Sequence, residues 1–296
     1  MSTPIFEGSC VAMVTPFRNG HVDWDKFREL IDFHIENGTD ALLIAGTTGE
    51  TSTLTDSEHL ELLRTAGMYI DGRLPFIAGT GSNDTAYSIM LSQYAEKHGA
   101  DAVLIINPYY NKSTQKGIIA HVKAIAESID IPVIVYNVPS RTGANITVDT
   151  IVELSKIPNV QGIKEASGNI SQVAEIIRLA GDNIDVYSGN DDQALPIMAL
   201  GGKGVISVSA NIIPQDVHEM AQAALDGDYE KARRLQLHQN SLNGPLFYET
   251  NPIPVKKAME LMGMDTGEMR LPLIEMSEDK AALLEQAMKD YGILES

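Results

Sequence analysis

The sequence of 296 residues contains one cysteine, Cys10, and one tryptophan. A single cysteine excludes an intramolecular disulfide framework and is typical of a reducing compartment, so we expect a cytoplasmic protein. Because Cys10 lies among apolar residues, we predict a small buried side chain there. No apolar run approaches the roughly 20 residues that a membrane helix needs, and no secretory signal is visible. We therefore expect no membrane association.

Basic residues are scarce. There are 22 lysines and arginines against 40 aspartates and glutamates, which gives a formal net charge of -18. Nucleic-acid phosphates and anionic lipids repel such a chain, so nucleic acid is a poor candidate partner. An anionic substrate would have to be captured by local donors. Hydrophobic residues at 44% and charged residues at 21% are ordinary values for a globular protein and exclude intrinsic disorder.

Common motifs for metals and dinucleotides are also missing. The seven histidines are scattered without H-x-x-x-H spacing, so we predict no metal site. No G-x-G-x-x-G loop follows the first strand-like run, and its absence weakens the case for an open dinucleotide-binding sheet.

Short β-branched runs alternate with amphipathic helical patterns through most of the chain. The runs fall at residues 11–14, 41–44, 76–78, 102–106, 133–136, 160–164, 185–188 and 204–208, and helical patterns include 24–36, 57–69, 86–97, 117–128 and 173–180. Asp23 and Thr55 are predicted N-caps. Both an open doubly wound sheet and a closed barrel fit this alternation, and the number eight favours an α/β protein with a (β/α)8 TIM barrel.

The strand pattern stops after about residue 227. Residues 228–242, 254–262 and 278–291 have helical patterns. We therefore predict a catalytic barrel at residues 1–227 and a C-terminal helical appendage at residues 228–296. Packing or oligomer contact is favoured over a second active site as the role of this appendage.

Several strand ends carry unusual residues, and (β/α)8 barrels hold their active sites at these ends. The segment Gly46-Thr47-Thr48-Gly49-Glu50 is either an ordinary glycine turn or a concavity that binds an anion and relays protons through its hydroxyls. Farther along, Tyr109 and Tyr110 form a pair for which a surface or interface position is favoured over a catalytic one.

Lys164 and Tyr136 end two consecutive runs, 28 residues apart. Lys164 closes an apolar strand, where desolvation would lower its pKa and let the amine attack a ketone, unless it forms a buried ion pair with Glu165. Tyr136 is either an interfacial tyrosine or a proton donor on the neighbouring strand, roughly 4.8 Å away. Arg141 is either solvated or a bidentate ligand for a carboxylate.

Taken together, these segments resemble the dihydrodipicolinate synthase branch of the N-acetylneuraminate lyase superfamily, over nearly the whole chain. The matching motifs are Gly46-Thr47-Thr48-Gly49-Glu50, Gly79-Thr80-Gly81-Ser82-Asn83, Pro108-Tyr109-Tyr110-Asn111, Tyr136-Asn137-Val138-Pro139-Ser140-Arg141-Thr142-Gly143, Gly162-Ile163-Lys164-Glu165, Ser188-Gly189-Asn190-Asp191 and Asn251-Pro252-Ile253-Pro254-Val255-Lys256. The lysine and the first loop are shared across the superfamily, whereas the Arg-Thr-Gly ending is more specific to the synthase branch.

The resemblance implies condensation of pyruvate with L-aspartate 4-semialdehyde, the entry step of lysine biosynthesis via diaminopimelate. The implied intermediate is an imine on Lys164, with no separate cofactor. The implied site consists of a proton relay of Tyr136, Thr48 and Tyr110, main-chain N–H groups of Thr47 and Thr48 for the pyruvate carboxylate, Arg141 for the aldehyde's carboxylate, and Gly189 and Ile206 as pocket lining. The alternatives are a pyruvate lyase for N-acetylneuraminate or a 2-keto-3-deoxy sugar acid, and a non-catalytic binding barrel.

The resemblance also implies a homo-oligomer and an effector cleft. Tyr110 would reach into the partner subunit's site, so a dimer is the minimum unit and a tetramer built as a dimer of dimers is usual. The cleft residues would be Thr51, Ser52, Asp56, His59, Asn83, Tyr87 and Tyr109. Tyr87 replaces a glutamate of lysine-sensitive members and Asp56 replaces a histidine, so we predict weak or absent inhibition by lysine.

Overall fold

Eight short apolar runs form parallel strands that close into a barrel in the computed structural model, which describes residues 3–295. The strands are β1 (Gly8–Ala12), β2 (Ala41–Ile44), β3 (Phe76–Gly79), β4 (Ala102–Ile106), β5 (Val133–Asn137), β6 (Val160–Glu165), β7 (Asp185–Ser188) and β8 (Gly204–Ser207). Each strand pairs with the next along the chain, and β1 also pairs with β8. The predicted (β/α)8 barrel is therefore confirmed.

Helices follow the strands and cover the outside of the barrel. They are α1 (Trp24–Glu36), α2 (Asp56–Ile70), α3 (Thr85–Lys97), α4 (Gln115–Ala126), α5 (Pro139–Thr142), α6 (Val148–Leu154), α7 (Ile170–Ala180), α8 (Ala194–Ala199), α9 (Pro214–Leu225), α10 (Tyr229–Asn243), α11 (Ile253–Leu261) and α12 (Glu278–Tyr291). Both predicted N-caps are confirmed. The Asp23 side chain accepts from the Lys26 N–H, and Thr55 forms a reciprocal capping box with Glu58.

Side-chain alternation along the strands produces two apolar layers. The larger layer lies between the strands and the helices. The smaller one fills the barrel interior and includes Cys10, Leu43, Leu104, Tyr136 and Ile206. Cys10 is fully buried, as predicted. Inward-facing residues at the carboxyl ends of the strands therefore pack on one side against the apolar residues that fill the barrel interior.

The first strand lies earlier than the sequence pattern predicts, at Gly8–Ala12 instead of residues 11–14. A Cβ on Gly204 would lie 2.1 Å from the Gly8 carbonyl oxygen, so β1 and β8 approach each other too closely for a side chain at this point. The prediction was wrong because it searched for β-branched residues, whereas this contact requires glycine.

A two-stranded hairpin after β1 was not predicted. Phe17–Arg18 pairs with His21–Val22, and Asn19 and Gly20 between them have φ values of 51° and 76°. These positive angles are those of a type I′ turn, for which Asn-Gly is the favoured sequence. The Asn-Gly pair was therefore the signal that could have revealed the hairpin.

The helices predicted in the C-terminal part are present as α10, α11 and α12, with ends shifted by one residue at most. Residues 244–252 connect α10 to α11, and residues 247–251 of this segment line the cavity at the carboxyl end of the barrel. The division into two domains at residue 227 stays a prediction. Within residues 3–295, no helix has the length and apolar character needed to cross a membrane.

His34 on α1 introduces an acid-sensitive element into this fold. It is fully buried, and neither ring nitrogen has a hydrogen-bond partner among the described residues. Burial lowers the pKa of His34 to about 3. The unfolded chain takes up this proton below pH 6.5 or so, whereas the folded protein does not. Stability therefore falls as the pH drops from about 6.5 toward 3, by about 1.4 kcal/mol per pH unit from this group.

We expect His34→Leu to flatten the acid side of the stability profile. Between pH 7 and pH 5, the free energy of unfolding should fall by about 2 kcal/mol more in the parent than in the variant, as measured by urea denaturation. His21 is exposed in the hairpin, so His21→Leu is the matched control. Equal acid slopes in the parent and in His34→Leu would contradict the prediction.

Candidate active site

Lys164 lies near the carboxyl end of β6 and lines the cavity at the barrel mouth. Its side chain is 6% exposed, and burial lowers its pKa to about 8 because desolvation disfavours the ammonium form. Within the described residues, Lys164 forms no salt bridge. A substantial share of this amine is therefore neutral near pH 8, which is the form that attacks a carbonyl carbon.

Tyr136 is paired directly with Lys164 in the register of β5 and β6. This pairing confirms that the two residues occupy equivalent positions on neighbouring strands. The Lys164 Nζ lies 4.5 Å from the centre of the Tyr136 ring. Burial raises the pKa of Tyr136 to about 12, against the opposing effects of Arg141 and of a hydrogen bond with Thr47. The phenol therefore keeps its proton at neutral pH and can donate it.

The buried ion pair between Lys164 and Glu165, which the sequence left open, is not formed. Successive strand residues point to opposite faces, so Glu165 faces away from the barrel interior. Its carboxylate accepts hydrogen bonds from the Asn137 side chain at 3.0 and 3.1 Å, the Gln172 side chain at 3.1 Å and the Ser167 N–H at 2.7 Å. Lys164 is thus left without an ion pair to Glu165.

The loop after β2 brings Thr47 and Thr48 to the same cavity. Thr48 is buried, and its hydroxyl accepts a hydrogen bond from the Asn251 side-chain amide at 3.0 Å. A Cβ on Gly49 would lie 3.3 Å from the Met13 carbonyl oxygen, so the loop packs closely against the chain after β1. The two hydroxyls therefore lie in the cavity that holds Lys164 and Tyr136.

Glu50, the last residue of this loop, anchors the loop instead of lining the cavity. It forms an ion pair with Lys256 of α11 at 2.9 Å, and both side chains are almost completely buried. Its second carboxylate oxygen accepts from the Arg270 N–H at 3.1 Å. Lys256 also donates to the main-chain carbonyls of Thr15 and Glu268. The pair ties the threonine loop to the C-terminal part of the chain.

The cavity at the barrel mouth has a volume of about 580 Å³. The predicted site residues on its wall are Thr47, Thr48, Tyr136, Arg141, Lys164 and Gly189. A Cβ on Gly189 would lie 2.7 Å from the Ala166 Cβ and 3.1 Å from the Lys164 Cε, so glycine leaves space for the lysine stem. Ile206 lies in the barrel interior and is not part of the wall.

Arg141 lies on α5 at the exposed rim of the cavity. One of its terminal nitrogens, Nη2, donates to the Asn251 main-chain carbonyl at 3.2 Å. The Arg141 guanidinium places a positive charge at the mouth of the cavity, although the net charge of the whole chain is -18. The rim therefore suits a substrate that carries a carboxylate.

Tyr110 is separated from the other predicted catalytic residues. It is 93% exposed in the loop after β4 and does not line the cavity. Its φ of 65° is unusual for a tyrosine. The Asn83 side chain donates to the Tyr109 carbonyl at 3.2 Å, and the Asn111 side chain donates to the Asn83 carbonyl at 3.0 Å. Within one chain the predicted relay is therefore incomplete, and Tyr110 projects outward.

Sequence reasoning gave no role to two buried residues near the site, Asn251 and Asp191. The Asp191 carboxylate accepts from the Ser207 hydroxyl and from the Val208 and Ser209 N–H groups. Burial raises the pKa of Asp191, and the positive charge of Lys164 opposes this shift. The only available signals were the motif matches at residues 188–191 and 251–256.

A second cavity of about 420 Å³ adjoins the first and shares Thr47, Tyr136 and Arg141 with it. Asn83, one of the predicted effector residues, does not line this second cavity. The other predicted effector residues do line it, namely Thr51, Ser52, Asp56, His59, Tyr87 and Tyr109. The Tyr87 hydroxyl donates to the Asp56 carboxylate at 2.9 Å. The two residues that depart from the lysine-sensitive pattern therefore contact each other.

Comparison with known proteins gives matches over nearly the whole chain. The model of the dihydrodipicolinate synthetase family matches residues 5–291. A curated 4-hydroxy-tetrahydrodipicolinate synthase of Thermoanaerobacter sp. (strain X514) is 56% identical over 292 residues, which are 98% of each chain. The crystal structure of dihydrodipicolinate synthase from Aquifex aeolicus is 46% identical, with a TM-score of 0.96 over 98% of this chain and 100% of that chain. The chloride-inhibited enzyme from Acinetobacter baumannii, complexed with pyruvate, is 44% identical, with a TM-score of 0.95 over 97% and 99%.

Proposed function

The chain belongs to the dihydrodipicolinate synthetase family, and from this premise we propose that it condenses pyruvate with L-aspartate 4-semialdehyde through an imine on Lys164. The protein is a lyase-type enzyme of lysine biosynthesis via diaminopimelate, and its product is 4-hydroxy-tetrahydrodipicolinate. The observation that carries the proposed mechanism is the Lys164 amine, which is buried, has a lowered pKa and lies 4.5 Å from the Tyr136 ring.

The neutral Lys164 amine attacks the ketone carbon of pyruvate, and the carbinolamine loses water to give the imine. The protonated imine nitrogen accepts the electron pair of a methyl C–H bond, which leaves an enamine. The enamine carbon bonds to the aldehyde carbon, whose oxygen takes a proton and becomes the product hydroxyl. The substrate amine then attacks the imine carbon, closes the ring and releases Lys164. One water is formed overall, and no separate cofactor is needed because the imine is the electron sink.

Each of these steps moves a proton. In the proposed relay, Tyr136 of one chain acts with Tyr110 of a second copy and with a hydroxyl of the threonine loop. The resemblance implied Thr48 for this hydroxyl, but the threonine that forms a hydrogen bond with Tyr136 is Thr47. The N–H groups of Thr47 and Thr48 hold the pyruvate carboxylate, and Arg141 binds the carboxylate of the semialdehyde. Gly189 provides main-chain surface around the reacting carbons, whereas Ile206, which the resemblance also implied as lining, lies in the barrel interior. The high exposure of Tyr110 supports its delivery across an interface.

We place the enzyme in the cytoplasm, as a homotetramer built from two dimers. The single cysteine suits a reducing compartment. The dimer is supported by the separation of Tyr110 from Lys164 within one chain, because a second copy has to supply the missing hydroxyl. Its partners are small molecules, and the strong negative charge disfavours nucleic acid and membrane surfaces.

Two measurements test the proposed reaction. Mass spectrometry after incubation with pyruvate and borohydride should find a reduced pyruvate adduct on the peptide that contains Lys164. Steady-state assays should then show turnover with L-aspartate 4-semialdehyde and none with N-acetylneuraminate or a 2-keto-3-deoxy sugar acid. The second assay is needed because all these enzymes would share the imine. Cleavage of a sugar acid without turnover of the semialdehyde would overturn the substrate assignment.

We expect lysine to inhibit this enzyme weakly or not at all. Burial raises the pKa of Tyr87 to about 12, so its side chain carries no charge with which to hold the effector's ammonium group. The Asp56 carboxylate is engaged by the Tyr87 hydroxyl. Inhibition curves of the purified enzyme with L-lysine test this expectation, and inhibition at micromolar lysine would refute it.

A pair of variants separates charge from shape in this cleft. Asp56→His combined with Tyr87→Glu restores both residues of the sensitive pattern, and we expect this double variant to gain inhibition by lysine. Tyr87→Phe is the matched control, since it removes the hydroxyl without adding a charge and should remain insensitive. Equal responses of the double variant and Tyr87→Phe would show that charge at position 87 does not decide sensitivity.

A further inference from the structure

Three charged residues line the cavity at the barrel mouth, within the part of the chain that the structure describes. Lys164 and Arg141 are basic, and Glu249 is the only acidic residue among them. Glu249 lies in the segment between α10 and α11 and is partly exposed. Although the chain has 40 aspartates and glutamates, the wall of this cavity therefore carries a single carboxylate.

One oxygen of the Glu249 carboxylate is engaged, and the other is available. Oε1 accepts hydrogen bonds from the Ser277 N–H at 3.2 Å and from the Ser277 hydroxyl at 2.5 Å. Ser277 is the N-cap of α12, and the positive end of that helix stabilises a nearby carboxylate. Among residues 3–295, Oε2 accepts no hydrogen bond and is not a buried atom. This oxygen is therefore accessible to a ligand.

Arg141 brings a positive charge close to this carboxylate. Its Nη2 atom donates to the main-chain carbonyl of Asn251, two residues after Glu249, at 3.2 Å. Two residues of extended chain span at most about 7 Å, so Glu249 and Asn251 are neighbours on the cavity wall. Within residues 3–295, neither Arg141 nor Glu249 forms a salt bridge. A cation and an anion thus line the same cavity without being paired to each other.

The second substrate of the proposed reaction carries the two opposite charges. L-aspartate 4-semialdehyde is an α-amino acid, so its carboxylate and its ammonium group are attached to one carbon, whereas pyruvate has a carboxylate alone. We infer, on the basis of the proposed function, that Glu249 binds the ammonium group of the semialdehyde while Arg141 binds its carboxylate. The two contacts together select an α-amino acid over an aldehyde that has only the carboxylate.

This contact is compatible with the later ring closure. The ammonium group must lose its proton to water at the exposed rim before the nitrogen attacks the imine carbon, because only the neutral amine has a lone pair to donate. Loss of the proton also removes the positive charge that Glu249 attracts. The neutral amine is then released from the carboxylate and can close the ring.

Glu249→Gln removes the charge and keeps the shape, and its side-chain oxygen can still accept from Ser277. We expect the KM for the semialdehyde to rise about tenfold, while kcat and the KM for pyruvate stay within about threefold of the parent. The probe that separates the two charges is 4-oxobutanoate, which is the semialdehyde without its amino group. Its inhibition constant should change by less than about threefold in Glu249→Gln, because it has no ammonium group to lose a partner. Arg141→Gln should weaken both ligands, since both carry the carboxylate.

Two further variants separate ligand binding from other effects of Glu249. Glu278→Gln is the matched control for charge, since Glu278 is exposed, follows Ser277 and does not line the cavity, so both KM values should stay at the parent level. Ser277→Ala tests whether Glu249 only anchors the start of α12. It removes one hydrogen bond of that anchor but keeps the carboxylate, so we expect a smaller rise in KM for the semialdehyde than in Glu249→Gln.

Three outcomes would overturn this role for Glu249. They are an unchanged KM for the semialdehyde in Glu249→Gln, an equal weakening of the semialdehyde and 4-oxobutanoate in that variant, or a loss in Ser277→Ala as large as in Glu249→Gln. Thermal unfolding and borohydride trapping of pyruvate on Lys164 identify any variant that is misfolded. Failure of the proposed function is distinguishable, because the parent itself would then form no adduct and would not turn over the semialdehyde.

Discussion

Replacing Lys164 with arginine should lower kcat by at least about 10³-fold and abolish the borohydride-trapped adduct with pyruvate. The guanidinium keeps the positive charge of a lysine, but it remains protonated at every accessible pH and cannot act as the attacking amine. The parent amine is suited to attack because burial lowers its pKa to about 8 and it forms no salt bridge within the described residues.

The measurements are steady-state turnover and mass spectrometry of borohydride-treated protein. Lys257→Arg on α11 is the matched control, since Lys257 is partly exposed, pairs with the exposed Glu260 and should tolerate the same exchange of side chains. In the parent, the trapping rate should rise with pH up to about 8, because only the neutral amine reacts. Turnover near the parent level in Lys164→Arg, or an adduct on another residue, would end the proposed mechanism.

The second large effect should come from Lys256→Met, which we expect to lower the free energy of unfolding by about 3–5 kcal/mol. Methionine fills a similar volume but leaves the Glu50 carboxylate buried without its cation. The main-chain carbonyls of Thr15 and Glu268 lose a donor as well. An uncompensated buried charge destabilises the protein by more than the intact ion pair stabilises it. Removal of one partner therefore lowers the free energy of unfolding strongly.

Urea denaturation at a fixed protein concentration measures this loss. Lys257→Met is the control, because it changes the neighbouring residue on the same helix but removes only a surface ion pair worth about 0.5 kcal/mol. The double variant Glu50→Gln with Lys256→Met should be less destabilised than the sum of the single variants, since neither charge then remains alone. A loss in Lys256→Met no larger than in Lys257→Met would contradict the buried-pair interpretation.

The parts of the site that follow from local rules were predictable from the sequence. Parallel strands joined by helices place equivalent residues side by side, so a spacing of 28 residues was enough to pair Tyr136 with Lys164, and the strand register confirms this pairing. Strand alternation also separates Lys164 from Glu165, although the sequence alone left an ion pair between them open. The predicted chemical roles of the site residues stay predictions.

Other features were not predictable because their cause is not local. The early position of β1 depends on close contact between Gly8 and Gly204, which no periodic pattern in either segment records. The outward position of Tyr110 depends on how Asn83 and Asn111 hold its loop. The part of the appendage between α10 and α11 lines the catalytic cavity, which helical patterning at residues 228–242 and 254–262 does not reveal.

Sequence patterns alone predicted eight strands, favoured a barrel over an open sheet and placed a desolvated lysine beside a tyrosine, because periodicity and burial act over a few residues at a time. The folded chain was needed to show what surrounds these groups. Asn251 meets Thr48 across 203 residues, and Lys256 meets Glu50 across 206. Such contacts depend on barrel closure and on the return of the C-terminal segment, so the periodicity of the sequence around either partner does not predict them.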